Sequence, residues 1–343
     1  MTSSILPYKA LALQTATRAV NEMTVPEARQ AMMEAVGRIG KQIRASKAFI
    51  GRDLRLVVLP EYFLTGFPMG ESLAEWREKA CLQQDGEEYG ALGALARENG
   101  IYLSGNVYEL DEHFPELYFQ TSFIISPDGI VGLRYRRLNS MFTPTPHDVL
   151  DRYLAVHGND SLFPVLRTEI GNLACIASEE ILYPEIARCL AMNGAEILLH
   201  SSSEVGSLMP TQKNIAKLAR AIENMAYVVS ANSAGITGYD IPAHSTDGHS
   251  QVVDHEGIKR CEAAFGESMT ANTTIDIAAL RHYRNRPGMS NFLSRQRFEL
   301  YAPVYAQVVY PANNIGSAPE GRRHFTALQE EVIRSLKERK ILE

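Results

Sequence analysis

Apolar residues recur in two rhythms along this chain. Between Thr24 and Ile43 they fall at Ala28, Met32, Val36, Ile39 and Ile43, a helical spacing that predicts an amphipathic helix capped by Thr24 with Pro26 in its first turn. Tyr8 to Gln14 alternates and reads as a strand, and Leu54 to Leu59 (LRLVVL) reads as a buried strand that runs into Pro60-Glu61. A loop rich in Gly and Pro (Gly66, Pro68, Gly70) leads to a helix over Tyr89 to Asn99 and a strand over Ile101 to Tyr108. Thr121 to Ile125 and Ile130 to Arg137 flank the turn sequence Ser126 to Gly129, SPDG, and predict a hairpin whose second arm delivers Arg134, Arg136 and Arg137.

The second half repeats the alternation. Leu173 to Ala177 reads as a strand, Pro184 to Asn193 as a helix stopped by Gly194, Ile197 to Leu199 as a strand, Asn214 to Asn224 as a helix and Tyr227 to Ala231 as a strand. Ser250 to Cys261 reads as a hairpin around Asp254 to Gly257. Such alternation predicts the α/β class or a layered α+β sandwich. From Arg286 onward, Pro287, Pro303 and Pro311 with several aromatics predict an extended tail that packs on a surface, ending in a helix over about Phe325 to Lys340. The expected division is a domain over 1–285 and a C-terminal extension over 286–343, packed on that domain or on a partner subunit.

Composition narrows the partners. With 343 residues, 45% of them apolar, the chain has enough material for a large core, and a formal charge of −6 without Lys/Arg blocks argues against nucleic acid or an anionic membrane as the main partner. No run approaches the length of a transmembrane helix, and the N-terminus lacks the pattern of a secretory signal, so the cytoplasm is the expected compartment. Cys81, Cys175, Cys189 and Cys261 lie far apart with no CxxC pair, which predicts free thiols and no cysteine zinc site. No histidine pair has helical metal spacing around a carboxylate, so no metal is expected, nor any cofactor. A small polar molecule remains as substrate.

Three apolar strands end on reactive residue types: LVVLPEYFLTGF on Glu61, GLRYRRLN on Arg137 and ACIASEEILYPE on Ser178. Singly, each has an ordinary reading: Glu61 as a salt-bridging carboxylate, Arg137 as a surface arginine, Ser178 as a helix cap before a glutamate-rich first turn. In order, spacing and context, however, the three resemble the nitrilase superfamily of carbon–nitrogen hydrolases. That family takes a catalytic glutamate from Pro-Glu, a lysine from Tyr-Arg-Lys, and a cysteine followed six residues later by Pro-Glu. Here the matching residues are Pro60-Glu61, Tyr135-Arg136-Arg137, and Ser178 ahead of Pro184-Glu185. The resemblance extends over about residues 8 to 282, through Ala187 to Ser203, Arg220 to Gly235, Gly248 to Gly257 and the closing strand Thr274 to Leu280. It implies the family's α-β-β-α sandwich and a homodimer or larger homo-oligomer.

Two of the three positions depart from the family. Serine stands at the cysteine position and arginine at the lysine position, and no lysine occurs between Lys79 and Lys213. The family's frequent second glutamate has no match from Leu138 to His147; His147 or Asp148 is the nearest stand-in. A thiol, with a pKa of about 8.5, is readily deprotonated, whereas a serine hydroxyl must lose its proton during attack to a positioned base. Glu61 fits that role if desolvated, but a neighbouring arginine would tend to clamp it in a bidentate pair. Cys175 lies three residues before Ser178 in the strand, on the opposite face, and reads as structural. Tyr62, His147, Glu180, His200 and Ser202 are the expected pocket residues, Glu180 with a role in supporting the elbow first. Loops at about 62–85, 138–160 and 200–212 shape that pocket.

Three functions therefore stay open on sequence. One is hydrolysis of a nonpeptide C–N bond (amide, carbamoyl or nitrile) through Ser178, with Glu61 as base and Arg137 at the oxyanion. Another is a family fold with lost or altered chemistry: a ligand-binding protein or a non-covalent lyase, cyclase or hydratase. The last is an ordinary family amidase whose cysteine was replaced by serine in the laboratory.

Overall fold

The computed structural model describes residues 5–315 and 322–343. In chain order the elements are β1 (Tyr8–Ala12), β2 (Thr17–Arg18), α1 (Val25–Ile50), β3 (Leu54–Val58), α2 (Leu73–Ala80), α3 (Glu87–Asn99), β4 (Tyr102–Glu109), β5 (Phe119–Ile125) and β6 (Val131–Arg136). There follow α4 (Leu150–His157), β7 (Leu166–Thr168), β8 (Gly171–Ala177), α5 (Pro184–Met192), β9 (Ile197–Ser201), α6 (Gln212–Asn224), β10 (Tyr227–Ala231) and β11 (Ile236–Thr237). The chain ends with β12 (Gln251–Val253), β13 (Lys259–Glu262), β14 (Asn272–Ile275), α7 (Ile277–Asn285), α8 (Phe298–Tyr305) and α9 (Arg322–Glu338).

Two six-stranded sheets, β14-β1-β3-β4-β5-β6 and β13-β12-β10-β9-β8-β7, stack face to face. Each has three parallel strands at its centre, β1-β3-β4 and β10-β9-β8, with antiparallel strands outside. Alternation along the strands explains the layering. Ala10, Ala12, Leu56 and Val58 turn into the core shared with the second sheet, whereas Leu11, Val57 and Leu59 turn outward against Met32, Val36, Ile39 and Ile43 of α1 and Leu92 of α3. On the far side, Ile186, Ala187 and Leu190 of α5 and Ala216 and Ala221 of α6 join the second sheet's core. The result is the α-β-β-α sandwich, with the parallel strands of both sheets delivering their carboxyl ends to one edge.

The helices follow their local signals. Thr24 and Glu27 form the predicted capping box on α1, with the Thr24 amide donating to Glu27 Oε2 at 2.8 Å. Gly100, at φ 57°, closes α3 in the left-handed conformation that glycine adopts without strain. Three expectations need correction. The span Thr274 to Leu280 is a strand only to Ile275; Asp276 then accepts from the Ala279 amide (2.8 Å) and caps α7, because an aspartate before a helical apolar spacing starts a helix. The expected loops 62–85 and 138–160 contain α2 and α4, and the expected extended tail contains α8, with Pro303 inside it. Residues 1–4 of the N-terminal segment and 316–321 of the C-terminal extension lie outside the described residues.

Candidate active site

Glu61 lies three residues past the end of β3 and is fully buried. Its backbone is tied to the opposite sheet, its amide donating to the Ser202 carbonyl (3.2 Å) while the Ser201 hydroxyl donates to the Leu59 carbonyl (2.8 Å). The carboxylate accepts from Gln120 Nε2 (2.6 Å) and Arg137 Nη1 (3.3 Å) at Oε1, and from the Ser203 amide (3.1 Å) at Oε2. Three donors, one of them a guanidinium, compensate a charge that burial would otherwise make very costly.

Arg137 follows β6 and is also buried. Its Nη1 donates to Gln120 Oε1 (2.7 Å) as well as to Glu61, its Nη2 to Glu179 Oε1 (2.5 Å), and its Nε to the Asn139 carbonyl (2.6 Å). Burial opposes the charge, but Glu61, Glu179 and Glu180 outweigh it and hold the guanidinium protonated well above the usual range. The donor fork expected at an oxyanion is thus spent mainly on protein acceptors, in direct contact with Glu61. Gln120 bridges the two charged groups and was absent from the expected pocket residues. A break in register beside Gly132, between the Ile124–Leu133 and Ile125–Val131 pairs, shifts the hairpin by one residue and sets Arg137, not Arg136, opposite Gln120. Turn chemistry alone gives the unshifted pairing.

Ser178 ends β8 and opens a tight turn over Ser178–Leu182 at φ 49°, a left-handed conformation uncommon for a residue with a side chain. Tyr62, at φ 36°, is a second such residue next to Glu61. Its ring stacks on Tyr108 with centroids 5.9 Å apart, and burial and the Glu61 charge hold its hydroxyl protonated. Backbone strain of this kind persists only where surrounding contacts fix it, and it gathers at functional sites.

Two buried groups hold the Ser178 turn. Glu180 accepts from the Leu138 and Asn139 amides (2.7 and 3.0 Å), the Tyr135 hydroxyl (2.8 Å) and the Ala177 amide (3.1 Å), joining the turn to the end of β6. Burial pushes its carboxyl up to about 7 against the pull of Arg137 and these donors. His200, in β9, donates from Nε2 to the Ser178 carbonyl (2.8 Å), which fixes its tautomer, so Nδ1 accepts from the Ser230 hydroxyl (2.8 Å). Both ring nitrogens are committed, and burial, with Lys217 next, pushes the imidazole down to about 3.

The remaining expected residues fall in different places. Ser202 is fully buried with its hydroxyl unpartnered, as is the hydroxyl of the adjacent Ser203, both beside Glu61. His147 packs against Tyr310 with ring centroids 6.1 Å apart. Asp148 accepts from Thr145 and Asn314 and serves as a cap, so neither stand-in for the second glutamate touches the Glu61–Arg137 pair. Both line a cavity of about 690 Å³ that also reaches Asn139, Glu179 and Tyr183 and is covered by Phe325, Val332 and Leu336 of α9. Cys175 is fully buried, 3.8 Å from Ser104 Oγ, and burial pushes its thiol up to about 12.

One residue outside the expected set reaches the serine. Lys213 Nζ, in the first turn of α6, lies 3.3 Å from Ser178 Oγ. Along the chain it is visible only as the lysine that closes a lysine-free stretch, and tertiary folding alone brings it to the turn.

Asp111, His113 and His157 form a cluster whose ligand atoms lie within 4.8 Å of one another. Arg136 donates into the same group, pairing with Asp111 and lying 2.7 Å from His157 Nε2, so a cation already occupies the role a metal would take. No helix among the described residues is long and apolar enough to cross a membrane.

Comparison with known proteins places this sandwich in a class of hydrolases. The sequence description "Carbon-nitrogen hydrolase" matches residues 12–285, so the chain belongs to the carbon–nitrogen hydrolase family, whose members hydrolyse C–N bonds. Among its relatives are a nitrilase of Pyrococcus abyssi, 29% identical over 53% of this chain and 63% of its own length, and an omega-amidase of Saccharomyces cerevisiae, 25% identical over 74% and 84%. A carbon–nitrogen hydrolase of Helicobacter pylori superposes with a TM-score of 0.65 at 21% identity, covering 88% of this chain and 99% of that one. The S. cerevisiae member of branch 10 of the nitrilase superfamily gives 0.63 at 22%, over 83% and 96%. These likenesses carry the fold.

Proposed function

We propose that the protein hydrolyses an amide, carbamoyl or nitrile bond in a small molecule, with Ser178 as the attacking group. The observation that carries this reading is the strained, buried Ser178 turn, pinned by Glu180 and His200 at the strand end where the family mounts its nucleophile. Glu61 and Arg137 set a buried charged pair that reaches the Ser178 turn through Glu179, with the unpartnered hydroxyls of Ser202 and Ser203 beside Glu61. The cavity of about 690 Å³ meets this unit only through Asn139 and Glu179, the partners of Arg137, and is itself of a size for a small molecule. The test is incubation with a panel of amides, esters and nitriles, followed by mass spectrometry for an adduct on Ser178. Turnover by Ser178→Ala equal to the native rate would remove the covalent route.

One observation favours a second reading, a pocket that binds its ligand without a covalent step: Arg137 is held by Glu61, Gln120, Glu179 and Asn139 rather than facing a free oxyanion position. The combined Ser178→Cys and Arg137→Lys variant separates the two. Gain of amidase activity supports a dormant family site; continued silence supports a remodelled pocket.

A further inference from the structure

We propose that Lys213 is the base for Ser178, so that the site works as a serine–lysine pair. This rests on the reading of Ser178 as the attacking group.

Elimination begins among the groups around the serine. Glu61 spends its two oxygens on Gln120, Arg137 and the Ser203 amide. His200 holds the Ser178 carbonyl through the nitrogen that carries its proton and receives Ser230 on the other. Glu180 faces four donors of the elbow, and Glu179 is paired with Arg137. Among the described residues the Lys213 amine is the side-chain group that reaches Ser178 Oγ, at 3.3 Å. A hydroxyl beside a lysine amine is an established route to an active serine on unrelated folds.

The surroundings of Lys213 do not engage it in a structural ion pair. Among the described residues no ion pair involves it. The titratable groups near it are Lys217, one turn along α6 and fully buried, Glu204, which pairs with Lys217, and His200, held neutral. Glu204 is therefore already neutralised. Lys213 also sits in the first turn of α6, whose opening residues carry no acidic side chain to pair with it. It is half-buried, so water and a leaving amine can approach it.

For an amide the step balances as follows. The free Lys213 amine takes the Ser178 Oγ proton as Oγ bonds to the carbonyl carbon, and the carbonyl π pair moves onto oxygen. Collapse of this tetrahedral adduct breaks the C–N bond, and the leaving amine takes the proton back from Lys213. Water then attacks the Ser178 ester, passing a proton to Lys213; the second collapse frees the acid as Oγ regains that proton.

The experiment is labelling of the full-length protein by an alkyl fluorophosphonate, which bonds to an active serine with loss of fluoride, read by mass spectrometry across pH. Native protein should label on Ser178, with a rate that rises with pH through one ionisation. Lys213→Ala and Lys213→Arg should both lose about 10²-fold or more in labelling rate, since arginine keeps the charge but not the base. Added ethylamine should rescue Lys213→Ala in proportion to its free-base concentration, an effect that a lost structural contact would not give. Labelling of Ser178 at the native rate in both variants overturns Lys213 as base while leaving Ser178 the nucleophile. Absence of a Ser178 adduct in the native protein, with full turnover by Ser178→Ala, overturns both readings.

Discussion

Arg137 Nη1 stands 3.3 Å from Glu61 Oε1, and the side chain of Gln120 donates to one and accepts from the other. The three form a closed, buried unit with an arginine as its cation. A compact ammonium leaves space beside a carboxylate, whereas a planar fork meets several acceptors at once. Here Arg137 meets Glu61, Gln120, Glu179 and the Asn139 carbonyl. The shape of the arginine therefore sets the glutamate's company as well as its countercharge.

Breaking this unit from one side should cost more than dissolving it. Arg137→Met leaves Glu61 buried without its countercharge, and unfolding in urea should show a loss of about 3–5 kcal/mol. Pairing it with Glu61→Gln removes the stranded charge, and the double variant should recover part of that loss. A double variant as unstable as the sum of the singles would mean that the two side chains do not interact.

What was legible in the sequence, and what was not, follows the physics of each feature. Strand ends were legible because short aliphatic runs stop at Pro60-Glu61, Arg137 and Ser178, and these three positions converge at one edge of the sandwich. The company of those residues was not, for a different reason in each case. Gln120 meets Arg137 through a one-residue break in register at Gly132, which no turn motif encodes. Lys213 reaches Ser178 across 35 positions, through the packing of α6 against the Ser178–Leu182 turn, α5 and β10. The helices α2 and α4 were read as loops because each spans only about two turns, too short to show a clear period.

Cys175 should be chemically silent in the folded protein. It is fully buried between the sheets and its thiol is pushed up to about 12, so little thiolate exists at neutral pH. Iodoacetamide at pH 7.5 followed by peptide mapping should find Cys175 unmodified in native protein and modified after denaturation. In Ser178→Cys, by contrast, the new thiol at the elbow should be modified well before Cys175. Faster native modification of Cys175 would contradict its placement.

Gly93 should not tolerate a side chain. It lies in α3 where the helix meets the turn between β5 and β6, and an added Cβ would stand 2.5 Å from the Gly129 carbonyl oxygen. That obstacle is backbone, held by the bonds from Arg97 to the Asp128 carbonyl, so the helix and turn must separate. Gly93→Ala gains helix propensity but should still lose about 1–3 kcal/mol through overpacking. Gly90→Ala, with open space around its position in the same helix, is the matched control and should be neutral or stabilising. Equal thermal midpoints for the two variants would refute the close approach.

The pH dependence of stability should carry a contribution from His200. In the folded state burial holds its imidazole down to about 3, whereas in the unfolded chain it titrates near 6.5. Between those values the unfolded state binds a proton that the folded state does not, so stability is fully present above about pH 6.5 and is lost as pH falls toward 3. The slope for one such proton is about 1.4 kcal/mol per pH unit. His200→Gln keeps a neutral donor for the Ser178 carbonyl but does not titrate, so its stability should fall less steeply over this window even if it is lower at pH 7. Parallel stability curves for the two proteins from pH 6.5 to 4 would mean that His200 is charged in the fold, and that its bond to the Ser178 carbonyl is made by an imidazolium.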